Sequence, residues 1–111
     1  MTAVFSPAST PVFSPDSIAA AFTAARAAGR ALSHYPSNPP NVAPATLADA
    51  YAVQAAAIAR WPDAVAGWKV ARVPGPFAAQ YPDERLIGPA FAANIHRAAA
   101  GRTAQCPVFD G

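Results

Sequence analysis

The chain has 111 residues and a net charge of +2, which is the size of one small domain or of part of a larger one. Thirty-one residues are alanine and only twenty-one are Leu, Ile, Val or Phe, so we expect much of the chain to pack against residues outside it. The basic residues form no run, the lone cysteine allows no internal disulfide, and no apolar stretch approaches a membrane span, which argues against a nucleic-acid binder, a disulfide scaffold and a membrane protein.

The N-terminal segment, residues 1–13, is rich in Pro, Ser and Thr and is predicted to be a flexible arm. It has no basic side chain and no continuous apolar stretch of the secretory type. A cytoplasmic protein is therefore the expectation.

A first helix is predicted to begin at Ser14, whose hydroxyl can accept a hydrogen bond from the free amides of the first turn. Pro15 suits the first helical position. Apolar residues at helical spacing continue to Leu32, with Gly29 weakening the second half. Pro36 is expected to end this helix.

A second helix is predicted from the capping-box-like start at Thr46, with Asp49 in place of the usual Glu or Gln, to Pro62. Gln54 is the one polar residue on its apolar face. Two interpretations of Gln54 stay open: an amide satisfied at a contact between the helix and a strand, or an orienting group near a pocket.

Two segments follow with the apolar character of strands. Residues 65–73 are bounded by Pro and Gly, and both of their faces are largely apolar, which predicts a buried or half-buried strand. Residues 86–91 form a second apolar segment, which we expect Gly88 and Pro89 to interrupt.

The only lysine, Lys69, stands in an aliphatic row of the first of these segments. A lysine there must extend to solvent or meet a carboxylate. It is either an edge lysine paired with a surface acid or a cation in a pocket, where Gly67 leaves space for a small anion.

Three segments in order make the chain from about residue 14 onward resemble a known family. They are Ala48-Asp49-Ala50-Tyr51-Ala52-Val53-Gln54, Gly67-Trp68-Lys69-Val70 and Arg85-Leu86-Ile87-Gly88-Pro89-Ala90-Phe91. The chain resembles the N-terminal part of the 2-keto-4-pentenoate hydratases, which are grouped with the 4-oxalocrotonate decarboxylases in the fumarylacetoacetate hydrolase superfamily. It departs from many members at Ala71, where they have Gly, and at Val73-Pro74, where they have a Thr-Ser pair.

The resemblance implies an α+β fold, with two N-terminal helices followed by strands that join the mixed β-roll of a longer chain. Residues 14–111 would be the N-terminal portion of a hydratase-like domain, truncated before the metal site. The family holds Mg²⁺ or Mn²⁺ through a Glu-x-Glu pair and a further acid beyond the matched segment. None of the six acids here forms such a pair, so no metal is expected to bind this chain. A homo-oligomer is expected for the full-length enzyme.

The resemblance further implies a lyase of aromatic catabolism that adds water to 2-hydroxypenta-2,4-dienoate, a small 2-hydroxydienoic acid. Lys69 would act as the catalytic cation or proton donor and bind substrate, and Phe91 would also bind substrate. The alternatives are a 4-oxalocrotonate decarboxylase-like enzyme or a non-catalytic truncated chain that only binds a partner. This chain alone is expected to be inactive.

Overall fold

Two helices and a β-hairpin make up the described part of the chain, which in this computed structural model comprises residues 12–37 and 42–106. The elements, in chain order, are α1 (Pro15–Ala27), α2 (Leu47–Arg60), β1 (Val65–Arg72) and β2 (Arg85–Phe91). Short 3-10 turns follow the two strands, at Gly75–Gln80 and Ala92–Asn94. The predicted α+β class is confirmed, whereas the joining of these strands to a longer chain stays a prediction.

Helix α1 begins as the sequence predicts. The Oγ of Ser14 accepts a hydrogen bond from Ser17 N at 3.3 Å, which satisfies one of the amides that the first turn leaves free. Pro15 occupies the first helical position, and Asp16 places a negative charge in the first turn, where the helix dipole favours it.

The other end of α1 differs from the prediction: the helix ends at Ala27 and does not continue to Pro36. Gly29 adopts a left-handed φ of 66°. The amides of Gly29 and of the following residue donate back to the carbonyl oxygens of Arg26 and Ala25, at 3.1 and 3.0 Å respectively. This pair of bonds closes a helix at a glycine, so Gly29 ends α1 rather than weakening it.

Helix α2 agrees with its predicted limits. The Oγ1 of Thr46 accepts a hydrogen bond from Asp49 N at 3.1 Å, and Asp49 Oδ2 accepts one from Ala45 N at 3.2 Å. The amides of Asp49 and Ala45 are thereby satisfied. The arrangement is a capping box in which the Asp49 carboxylate accepts from the residue before the N-cap and not from the N-cap itself. The last helical residue is Arg60, two residues before the predicted stop at Pro62.

The two strands pair antiparallel, with Lys69 opposite Gly88 near the middle of the sheet. Pairing begins at Val65, opposite Phe91, and a one-residue bulge follows it in β1. The strand predicted over residues 65–73 is confirmed as β1. The expected interruption of the second segment is wrong, since β2 runs unbroken through the Gly-Pro pair.

The direction of the neighbouring backbone groups explains how Pro89 fits inside β2. Ile87 N donates to the Tyr51 hydroxyl at 3.1 Å, and Ile87 O accepts from Gln54 Nε2 at 3.0 Å, so the polar backbone groups of Ile87 face α2 and not β1. Alternate residues of a strand share this direction, so the nitrogen of Pro89 also faces away from β1. Its missing N–H therefore removes no bond between the strands.

The core lies between the helices. Ile18 and Ala19 of α1 are fully buried against Val53 of α2, and Phe13 packs on this cluster. Phe13 is thus part of the packed structure, whereas residues 1–11 of the predicted arm lie outside the described residues. No helix in residues 12–37 and 42–106 is long and apolar enough to cross a bilayer.

Candidate functional site

Lys69 is exposed on β1, which corrects the prediction of a buried or half-buried strand. Only Val65 and Gly67 of this strand are half-buried, and every residue from Trp68 to Arg72 is exposed. The strand is rich in apolar residues, as predicted. Burial of a strand requires a layer that covers its face, and in the described chain the helices lie beside the hairpin and do not cover it.

Glycine lies on two sides of Lys69. Side chains alternate along a strand, so Gly67 shares the face of Lys69 in β1, and Gly88 is its partner in β2. A Cβ at Gly67 would meet no atom within 4 Å, and one at Gly88 would lie 3.9 Å from Gln54 Nε2. The space beside the Lys69 stem is therefore open at Gly67, where a small anion has room, whereas the Gln54 amide lies beside Gly88.

Helix α2 fixes the strand that carries Gly88. Tyr51 and Gln54 lie one helical turn apart on α2, and both bind the backbone of Ile87, the residue before Gly88. The interpretation of Gln54 as an amide satisfied at a helix–strand contact is confirmed. Tyr51 has the matching role, which the sequence analysis missed, although its place one turn before Gln54 on the same face was a usable signal.

Phe91 lies at the other end of β2 and is almost fully buried. Its ring packs on Trp61, with centroids 6.1 Å apart, and the guanidinium of Arg26 lies 5.3 Å from the Phe91 centroid and 4.9 Å from that of Trp61. No local sequence pattern links these three residues, because they come from α1, the end of α2 and β2. The position of Arg26 therefore does not follow from the sequence.

The structure does not bring Lys69 and Phe91 together. Gly88, the partner of Lys69, and Phe91 are three residues apart in β2, so their side-chain positions are on opposite faces of the strand. Phe91 borders a cleft of about 120 Å³. That cleft is lined by Phe22, Thr23, Arg26, Gln54, Ala57, Ile58, Trp61, Pro89 and Phe91. Lys69 is not among the residues that line this cleft.

The aromatic contacts of α1 extend beyond this cleft to Tyr35. Its ring meets Phe22 edge to face, with centroids 5.4 Å apart. Desolvation by burial raises the pKa of the Tyr35 hydroxyl above its ordinary value. This contact positions the chain after α1 and has no part in the surroundings of Lys69.

The acids of the described chain do not assemble a metal site. Asp49 caps α2, and both oxygens of Asp63 accept backbone amides, from Ala64 N at 2.8 Å and Ala93 N at 2.9 Å. Within residues 12–37 and 42–106, no three His, Cys, Asp or Glu side chains converge as metal ligands. The described residues therefore supply no ligand set for the Mg²⁺ or Mn²⁺ that the resemblance implies.

Comparisons of the chain with protein-family models, with curated proteins and with solved structures gave no match.

Proposed function

We propose that this chain is the N-terminal part of a lyase similar to the 2-keto-4-pentenoate hydratases, with Lys69 as its substrate-side cation. The observation that carries the proposal is the place of Lys69, exposed on β1 with glycine beside it at Gly67 and across from it at Gly88. The residue belongs to the middle one of the three segments that resemble the hydratases, and α2 and β2, which carry the other two, pack beside it.

The proposed reaction adds water across a double bond of a 2-hydroxydienoate and gives a 4-hydroxy-2-oxo acid. The substrate carries a carboxylate and an oxygen at carbon 2, and both attract a cation. The Lys69 ammonium donates hydrogen bonds to such oxygens and is a proton donor to the substrate or to the catalytic water. Gly67 contributes by leaving the space beside the ammonium free for the substrate.

The metal belongs to another part of the proposed enzyme. Mg²⁺ or Mn²⁺ would supply charge neutralisation at the substrate oxygens, and its ligands would be acids outside the described residues. The described part of the chain contributes Lys69 and the helices that hold its hairpin in place.

The outer face of the hairpin supports a longer β-structure. Trp68 and Val70 are 53% and 60% exposed, and Ile87, which pairs with Val70, is 44% exposed. Val70 lies opposite Ile87, whose N–H and C=O groups point toward α2. In such a pair neither residue bonds to the other, so the N–H and C=O groups of Val70, and those of Trp68 two residues earlier, point away from β2. An apolar face beside a strand edge that no other described strand pairs with suits the addition of further strands. In the proposed enzyme these come from the β-roll, within a cytoplasmic homo-oligomer.

Product analysis on the complete product of the gene tests the proposal. The protein is incubated with Mg²⁺ and either 2-hydroxypenta-2,4-dienoate or 4-oxalocrotonate, and products are identified by mass spectrometry. Formation of a 4-hydroxy-2-oxo acid that retains every carbon of the dienoate supports the hydratase.

Two other results would contradict the hydratase assignment. Release of carbon dioxide from 4-oxalocrotonate without hydration of the dienoate would assign the related decarboxylase activity. A folded protein that turns over neither substrate would overturn both enzymes and favour a chain that only binds a partner, for which the exposed Trp68 and Val70 would be the contact surface.

A further inference from the structure

Arg26 is held in place by two aromatic rings. Its guanidinium lies 4.9 Å from the ring centroid of Trp61 and 5.3 Å from that of Phe91, both within the range of a cation–π contact. Stacking uses the face of the planar guanidinium and leaves its N–H edges available. The residue as a whole is exposed, so these donors are accessible from outside the protein.

The cleft beside this stack is apolar. Arg26 is the one charged residue among the described residues that line it, and most of the others are apolar: Phe22, Ala57, Ile58, Trp61, Pro89 and Phe91. The volume of about 120 Å³ approaches that of the engineered apolar cavities of about 150 Å³ that take up benzene. The cleft therefore has room for one ring or a short branched hydrocarbon group.

A second donor lies beside the cleft. Gln54 also lines it, and its amide nitrogen already donates one N–H to Ile87 O at 3.0 Å. A primary amide carries two N–H bonds, so the second is available to an acceptor in the cleft. Apolar walls with a few convergent donors are the usual construction of a small-molecule site.

Among the described residues, the carboxylate that shares a cleft with Arg26 is that of Asp63. Asp63 lines a neighbouring cleft that Arg26 also borders, and it does not line the apolar one. Both of its oxygens accept backbone amides, which holds the carboxylate against the backbone. The apolar cleft thus presents a net positive charge to a ligand.

We infer that this cleft binds a small apolar monocarboxylate. The carboxylate meets the N–H edge of Arg26 and the second N–H of Gln54, and the hydrocarbon group packs against Phe22, Ile58 and Pro89. A planar carboxylate matches the guanidinium fork and can accept two hydrogen bonds from it. Lys69 does not line this cleft, although Gln54 Nε2 lies 3.9 Å from the Cβ position of Gly88, and the inference does not depend on the proposed lyase activity.

Titration of the full chain with benzoate tests the inference. The Trp68→Phe variant leaves Trp61 as the only tryptophan, so its fluorescence reports on the ring that stacks with Arg26. Benzamide, which has the same shape without the charge, is the matched ligand. We expect saturable benzoate binding that is at least about tenfold tighter than that of benzamide, as one charge-assisted contact provides.

Two variants complete the test. Arg26→Gln is expected to weaken benzoate binding by about tenfold or more, whereas Arg85→Gln, which removes an equal charge at the distant end of β2, is expected to leave it unchanged. Equal binding of benzoate and benzamide would overturn the inference, and so would unchanged binding in Arg26→Gln. If Arg26→Gln does not fold, the comparison of the two ligands still decides the question in the Trp68→Phe chain.

Discussion

The helix pair and the hairpin place their large apolar residues in opposite ways. Ile18 of α1 is fully buried against α2, whereas Trp68 and Val70 of β1 are more than half exposed. Alanine explains the first arrangement, because small side chains such as Ala19 let the helices approach closely. The hairpin shows the reverse, since its largest side chains have no covering layer in the described chain.

This contrast divides the molecule by role. The helices supply most of the buried contacts and, through Tyr51 and Gln54, hold one edge of the hairpin. The hairpin supplies an exposed surface with one lysine in a row of small residues. Apart from Arg26 and Gln54, which line the apolar cleft, we expect substitutions in the helices to change the stability of folding, and those around Lys69 to change catalysis.

The largest difference is expected between Ile18→Ala and Ile87→Ala, which remove the same groups from a buried and an exposed site. Ile18→Ala should lower the free energy of unfolding by about 2–5 kcal/mol, through lost burial and a cavity. Ile87→Ala should cost less than about 1 kcal/mol, the span of strand propensities. Urea unfolding followed by circular dichroism measures both, and equal losses would contradict the contrast.

A smaller difference is expected between the glycines of the two regions. Gly29→Ala should destabilise by about 1–2 kcal/mol, because alanine is strained at the left-handed φ of 66° that ends α1. Gly67→Ala should change stability by less than about 0.5 kcal/mol, since its Cβ would point into open space. Thermal unfolding of both variants checks this, and a Gly67→Ala loss as large as that of Gly29→Ala would show that β1 is packed more tightly.

The smallest effects are expected at the two helix caps. Thr46→Ala should lower the free energy of unfolding by about 1 kcal/mol, because it removes the hydroxyl that accepts from Asp49 N at the start of α2. Ser14→Ala should cost less, since its bond to Ser17 N is longer, at 3.3 Å. Urea unfolding of the single variants ranks them, and a greater loss for Ser14→Ala would reverse the expected order.

Local signals explain how much of the fold the sequence predicted. The caps at Ser14 and Thr46, and the strand over residues 65–73, each depend on neighbours in sequence and were predicted correctly. The end of α1 differs from its prediction, because the left-handed backbone of Gly29 closes the helix, and helical spacing alone does not reveal that conformation. The effect of Pro89 was also misjudged, since it depends on which way the β2 backbone faces.

Less of the candidate functional site than of the fold could be predicted from the sequence. Alternation along β1 predicted that Gly67 and Lys69 share a face, but exposure depends on what covers a strand, and no local pattern carries that information. The stack of Arg26, Trp61 and Phe91 joins three separate elements, so residue spacing could not predict it.

The role of Lys69 is tested most directly by comparing Lys69→Met with Arg72→Met in the complete product of the gene. Methionine keeps an aliphatic stem in both variants, and Arg72 is an equal charge on the same exposed strand but the opposite face. Turnover of 2-hydroxypenta-2,4-dienoate is expected to fall by about 10²-fold or more in Lys69→Met, the usual scale for a lost acid–base or electrostatic group, and to stay unchanged in Arg72→Met. Unchanged turnover in Lys69→Met, or an equal fall in both variants, would contradict the proposed role.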